Sequence, residues 1–168
     1  MDLLRKRRYF RSYIELSLKY ICERFRQTGK TISEELAVII CNTVENHSSY
    51  VQQLSWLVWT RTDSIATESE LLQAITDLLN QNSMLYYNYL DGLTALQINF
   101  LRAIADGIYS GFSRKEIIEN YRLGTSANIT RVRKALEDKE LIDISHESIT
   151  FNDPVFQLWF RKEVHSNI

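Results

Sequence analysis

A single proline and five glycines interrupt the 168 residues of this chain. A fold rich in β-sheet needs more of them, because Gly and Pro supply the backbone conformations that frequent tight turns require. Apolar residues make up 45% of the chain and charged residues 24%, which is typical of globular domains. The sequence therefore predicts a mainly α protein of one ordinary domain or two small ones.

Residues 1–92 show four amphipathic segments, which predict a helical bundle. The first runs from about residue 3 to Gln27 and ends at Gly29, a residue suited to a left-handed helix stop. Ser33 caps the second helix, the third covers residues 47–60, and Thr67-x-x-Glu70 is a capping box that opens the fourth. The buried stripe of the second helix is predicted as Leu36, Ile39, Ile40 and Val44. Asp91-Gly92 breaks the fourth helix, so we place the domain boundary there.

Residues 93–168 combine three helix starts with a hairpin pattern. The helix starts are the capping box Thr94-x-x-Gln97, then Ser113-x-x-Glu116 after a turn at Gly111, then Thr125 or Ser126. Two strands, 141–144 and 148–151, flank a tight turn at His146-Glu147, and Asp153-Pro154 opens a closing helix. Three helices, a two-stranded β wing and a closing helix predict a winged helix-turn-helix domain.

The helix predicted over residues 126–139 is the candidate DNA-recognition helix. With its apolar positions toward the core, about 100° per residue places Thr130, Arg131 and Lys134 on the opposite face. These three residues, with His146 of the wing, are the candidate contacts to double-stranded DNA, since such side chains bind phosphates and base edges. Residues 93–168 carry ten basic and ten acidic residues. A solvated helix face on a protein-interaction domain therefore remains the alternative.

Charge is distributed unevenly before residue 93. Residues 1–30 hold nine basic and three acidic residues, whereas residues 31–92 hold one basic and eight acidic residues. This asymmetry has two interpretations: attraction within the fold, or a basic arm for an anionic partner. The chain also has aromatic residues at helical spacing: Trp56, Trp59 and the cluster Tyr86-Tyr87-x-Tyr89. They could form an exposed contact patch, but their spacing favours the core.

No stretch carries recognisable catalytic, metal-binding or nucleotide-binding chemistry. Thr28-Gly29-Lys30-Thr31 lacks the first glycine of a phosphate-binding loop, whose place Arg24 takes, and it follows a helix instead of a strand. The two cysteines and the isolated histidines form no zinc pattern, and no run reaches the ~20 apolar residues of a membrane span. We expect a cytoplasmic, non-enzymatic protein with reduced thiols, no metal and no cofactor.

Several stretches together resemble the C-terminal half of archaeal-type P-loop ATPases, a AAA+/STAND-like family. The stretches that resemble the family's helical lid are Glu23–Lys30, Ser33-Glu34-Glu35 and Asn46–Leu54. Those that resemble its closing winged helix are Leu93-Thr94-x-x-Gln97, Leu101-x-x-Ile104-Ala105, Leu123-Gly124, Leu141-Ile142 and Asp153-Pro154-x-Phe156-x-x-Trp159. Together they cover nearly the whole chain in order.

The resemblance implies a lid-like bundle followed by a winged helix that engages DNA or a protein partner. The family's nucleotide-binding core, with its Walker motifs, would lie before Met1, so we expect a truncated relative or a fragment. Ser48 stands where the family usually has a proline, which puts a lid contact with nucleotide in doubt. No catalytic residue carries over. The implied partners are DNA, an ATPase core, or a second copy of the chain.

Overall fold

The computed structural model describes residues 3–145 and 148–165, with side chains for residues 15–145 and 148–164. Within these residues the chain forms eight α-helices, a π-helix and one two-stranded antiparallel sheet, which confirms the mainly α prediction. The elements are α1 Leu3–Gln27, α2 Glu34–Thr43, α3 Ser48–Arg61, α4 Glu68–Asp91, α5 Ala95–Ala105, α6 Lys115–Tyr121, α7 Ser126–Asp138, β1 Ile142–Ile144, β2 Ile149–Phe151, α8 Pro154–Phe160 and the π-helix Arg161–His165.

The chain divides into two compact units between Gln81 and Asn82, inside α4. The predicted break at Asp91-Gly92 does end this helix. The last turns of α4, however, fall in the second unit, so that unit begins before residue 93. None of the described helices combines the length and the hydropathy that crossing a bilayer requires.

The first unit buries apolar side chains from α1, α2, α3 and the first part of α4. Gly29 has φ +77°, and the N–H of Lys30 donates to the carbonyl of Phe25 at 3.0 Å, so α1 ends in the predicted left-handed stop. The Ser33 hydroxyl accepts from the N–H of Leu36 at 3.1 Å, which confirms the predicted cap of α2. Buried positions of the unit include Ile21, Phe25, Ala37, Ile40, Cys41, Val44, Leu54, Val58, Ala74 and Leu78.

Two predicted core positions of this unit are wrong. Ile39 is 41% exposed because the buried stripe of α2 runs through Ala37 and Cys41, which are not in the predicted stripe. Trp56 is 58% exposed. The buried residues of α3 are Val51, Leu54, Leu57 and Val58, and about 100° per residue puts Trp56 on the opposite side of the helix.

The second unit has the predicted helix order. The capping box at Thr94 and Gln97 forms in full, but the predicted Ser113 cap is wrong, because α6 begins at Lys115 after Arg114. The N–H of Arg114 donates to the carbonyl of Gly111 at 3.0 Å, which closes a turn that contains Ser113 and delays the helix.

The wing and the closing helix complete this unit. β1 and β2 pair antiparallel, with Ile142 opposite Phe151 and Ile144 opposite Ile149. Asp153 caps α8 by accepting from two backbone N–H groups, at 2.8 and 3.0 Å. Aromatic side chains fill much of the core between the strands and the helices: Tyr86, Phe100, Phe151, Phe156, Trp159 and Phe160.

Candidate nucleic-acid interface

Helix α7 is positioned by its cap and by a buried apolar stripe. Thr125, not Ser126, is the N-cap, and its hydroxyl accepts from the N–H of Asn128 at 3.3 Å. The side chains of Ile129, Val132 and Leu136 are at most 6% exposed, so one face of α7 is fixed against the core. This packing determines which face points to solvent.

The turn before α7 depends on a glycine. Gly124 has φ +76°, and a Cβ placed there would lie 2.5 Å from Nδ2 of Asn128. Arg122, which ends α6, also takes a left-handed conformation at φ +51°, and Leu123 between them is buried. The short link from α6 to α7 therefore holds the start of α7 in one orientation.

Three of the four predicted contact residues share the exposed face of α7. Thr130, Arg131 and Lys134 are all exposed. The Thr130 hydroxyl donates to the carbonyl of Ser126 at 3.2 Å and keeps its oxygen as an acceptor. Among the side chains that the structure describes, neither Arg131 nor Lys134 forms an ion pair. The fourth residue, His146, lies outside the described residues.

The base of the wing is closed by two serines. The N–H of Ser145 donates to the carbonyl of Ser148 at 3.0 Å, and their hydroxyl oxygens are 2.7 Å apart. The N–H of Ile149 donates to the carbonyl of Tyr109 at 2.8 Å, so β2 is tied to the loop between α5 and α6. A wing held at both places presents a defined edge beside α7.

Arg133 also lies at this site, although it is not among the four predicted contact residues. It is half-buried at the edge of α7, and it lines a cleft that also includes the base of the wing and the α5–α6 loop. Its spacing from the buried residues places it near the packing side of the helix. The only signal in the sequence was a long cationic side chain at the border between the buried and exposed faces, a position from which such side chains reach solvent.

Residues of the segment Thr28–Thr31 make structural contacts with α3 in the first unit. The ammonium group of Lys30 donates to the carbonyl of Trp59 at 2.7 Å and lies 4.2 Å from the centre of the Trp59 ring. The Trp59 indole in turn donates to the Thr28 hydroxyl at 2.8 Å. The lysine thus anchors the end of α1 to α3. In the described part of the chain, no group of His, Cys, Asp and Glu is arranged to hold a metal ion.

A groove between α1 and α3 exposes aromatic surface on the first unit. Tyr20 and Trp56 are 53% and 58% exposed at its edges, whereas Ile21 and Phe25 form a buried floor. Nε of Arg24 donates to the Tyr20 hydroxyl at 3.2 Å. Trp56 therefore lies on the exposed edge of this groove and not in the core.

A family model described as a probable winged helix domain matches residues 84–162. The C-terminal part of the chain has the winged-helix fold. The match begins within the last turns of α4 and ends in the π-helix, so it spans nearly all of the second unit. No curated protein and no solved structure matches the chain.

Proposed function

We propose that the winged helix binds double-stranded DNA through α7, as the non-catalytic C-terminal module of a cytoplasmic ATPase-like protein. The observation that carries this proposal is the exposed face of α7, where Arg131 and Lys134 stand beside Thr130 without a carboxylate partner among the described side chains. Cations of this kind neutralise phosphates, and a hydroxyl accepts or donates at a base edge or a phosphate.

The dimensions of α7 also support the proposal. Its 13 residues span a length of about 20 Å. An α-helix with its side chains is about 10–12 Å across, which fits the major groove of about 12 Å. With two cations on the exposed face, the helix would neutralise about two phosphates. The logarithm of the association constant should therefore fall with the logarithm of salt concentration with a slope of about −2 from this helix.

Duplex affinity measured by fluorescence anisotropy at 50–200 mM salt tests the proposal. The double variant Arg131→Ala and Lys134→Ala should bind more weakly and flatten the salt slope by about one to two units. The matched control is Lys139→Ala with Lys162→Ala, which removes the same charge outside the exposed face of α7. Equal affinity and slope in the wild type and the α7 variant would reject this helix as the interface.

The ATPase-like context rests on the resemblance of the lid and winged-helix motifs. We expect the chain by itself neither to bind nor to hydrolyse ATP, since its Gly29-Lys30 segment is occupied with Trp59. Titration with a labelled ATP analogue and a phosphate-release assay test this expectation. Turnover of ATP by the purified chain would refute the non-catalytic assignment.

A second candidate function is protein docking, onto an ATPase core or a second copy of the chain. The observation that favours it is the groove between α1 and α3, with its exposed Trp56. Sedimentation velocity of the wild type should then show self-association that Trp56→Ala removes. Alternatively, tryptophan emission should shift on addition of an ATPase core in the wild type but not in Trp56→Ala. Leu72→Ala is the control, because Leu72 is 66% exposed and does not line the groove. If neither self-association nor an emission shift occurs at micromolar protein concentrations, docking at this groove is rejected.

A further inference from the structure

We infer that the cleft between α7 and the wing binds one phosphate group of the DNA backbone, with Arg133 as its main ligand. The cleft has a volume of about 240 Å³. A water molecule occupies about 30 Å³ in the liquid, so a phosphate group and several waters fit inside. This inference rests on the proposed DNA binding and names a contact that the exposed face of α7 does not include.

The polar lining of the cleft suits a phosphate. Besides Arg133, the cleft is lined by hydroxyl-bearing side chains: Tyr109, Ser110, Ser113, Ser145 and Ser148. No carboxylate is among its described lining residues, and the described ion pairs do not include Arg133. A guanidinium group bonds phosphate oxygens in a bidentate manner, and hydroxyls donate to the remaining oxygens.

A second guanidinium group lies against a glycine that lines the cleft. Gly111 lines the cleft, and a Cβ built on it would lie 2.8 Å from Nε and 3.1 Å from Cζ of Arg114. The Arg114 side chain therefore packs directly over Gly111. Two positive groups beside one cleft favour an anion over a neutral ligand.

The cleft is held in shape before any ligand arrives. Its apolar floor consists of Phe112, Ile129 and Ile149, each at most 5% exposed. The hydrogen bond from Ile149 N–H to the carbonyl of Tyr109 joins the wing to the opposite wall. A rigid site loses little conformational entropy when the ligand binds.

Helix geometry connects this cleft with the exposed face of α7. About 100° per residue places Thr130 about 60° around the helix from Arg133, and Lys134 about 40° further. The three side chains therefore form one continuous edge of α7. A DNA strand that lies along this edge brings a backbone phosphate to the cleft.

Arg133→Ala tests the inference in the full chain. It should lower duplex affinity and reduce the salt slope by about one unit, because one phosphate contact is lost. Arg133→Lys should restore the slope but only part of the affinity, since an ammonium group cannot bond in a bidentate manner. Lys139→Ala is the control for loss of one charge, and far-UV circular dichroism checks that each variant is folded. If Arg133→Ala does not fold, Arg133→Lys and Arg133→Gln provide the same comparison.

A titration with inorganic phosphate separates this inference from the proposed function. We expect phosphate to shift the Nε resonance of Arg133 and the amide resonance of Ser148 in NMR spectra of the wild type. Duplex binding that Arg133→Ala leaves unchanged would overturn the inference and leave the proposed function in place. Phosphate shifts without duplex binding would overturn DNA as the source of the phosphate. If neither duplex binding nor phosphate-induced shifts are observed, the cleft is not a phosphate site.

Discussion

The hydrogen bond between Tyr86 and Asp153 joins the end of α4 to the closing helix. Tyr86 is fully buried, and its hydroxyl donates to Oδ2 of Asp153 at 3.1 Å, while Oδ1 caps α8. The Tyr86 ring lies 5.1 Å from Phe156 and 5.5 Å from Trp159. Removing the hydroxyl alone therefore tests whether the last turns of α4 stabilise the winged helix.

The structure sets the expected size of the effect. Hydrogen bonds to charged groups contribute about 1.5–3 kcal/mol, and 3.1 Å is long for an O–H···O bond, so Tyr86→Phe should cost about 1.5 kcal/mol. Asp153→Ala loses this bond and the helix cap, and the cap adds about 1.5 kcal/mol. The double variant loses the shared bond only once. It should therefore unfold about as readily as Asp153→Ala alone, with a coupling energy of about 1.5 kcal/mol.

Urea unfolding followed by far-UV circular dichroism, with tryptophan emission as a second probe, measures the four free energies. Tyr87→Phe is the matched control, since Tyr87 is 51% exposed and should change the free energy of unfolding by less than about 0.5 kcal/mol. Additive effects of Tyr86→Phe and Asp153→Ala would refute the reasoning. In that case, the end of α4 would not depend on the closing helix.

Three further predictions concern single residues. Gly124→Ala should lower the free energy of unfolding by about 1–2 kcal/mol, because an alanine at φ +76° is strained and its Cβ meets Asn128. The variant should therefore have a lower Tm, and an unchanged Tm would contradict this. The hydrogen bond from the Thr67 hydroxyl lowers the pKa of Glu70. The ionised Glu70 carboxylate therefore stabilises the fold above about pH 4.3, the usual pKa of a glutamate, and this contribution is lost as pH falls through the lowered pKa. Glu70→Gln should flatten the acid limb of a urea-unfolding series from pH 2 to 5, and an identical limb would contradict this. Burial raises the pKa of the Cys41 thiol and excludes solvent, so a thiol reagent at pH 7.5 should label it only in urea; rapid native labelling would contradict this.

The helix starts were predictable because their signals are local. A cap needs only a hydroxyl or carboxylate and an N–H two or three residues later, and Ser33, Thr94 and Asp153 each meet that requirement in the structure. Gly29 likewise ends α1 through its own backbone conformation. None of these features depends on a distant part of the chain.

The errors arose where a neighbouring element decides the outcome. Small side chains at Ala37 and Cys41 carry the buried stripe of α2, which left Ile39 exposed. Trp56 was predicted in the core from the helical spacing of the aromatic residues, but the buried face of α3 lies on the opposite side of the helix. At Ser113, a turn closed by Gly111 delayed the helix start by one position, so that Arg114 is the N-cap.

The candidate site was predictable in part. The exposure of Thr130, Arg131 and Lys134 followed from helical periodicity alone. The role proposed for Arg133 depends on the loop and the wing that line the same cleft, and the periodicity of α7 does not contain that information. The function of a residue at the border between the buried and exposed faces of a helix is therefore difficult to predict from the sequence alone.

The balanced charge of residues 93–168 does not oppose anion binding, because the charges of α7 are segregated along the helix. Its cations occupy residues 131–134, whereas its carboxylates, Glu137 and Asp138, stand at the C-terminal end. Lys134 and Asp138 are four residues apart, about 6 Å along the axis. The described ion pairs nevertheless include neither of them, so the ammonium group is not held by this carboxylate. The proposed contact with a phosphate backbone therefore depends on the local order of charges along α7 and not on the net charge of the domain.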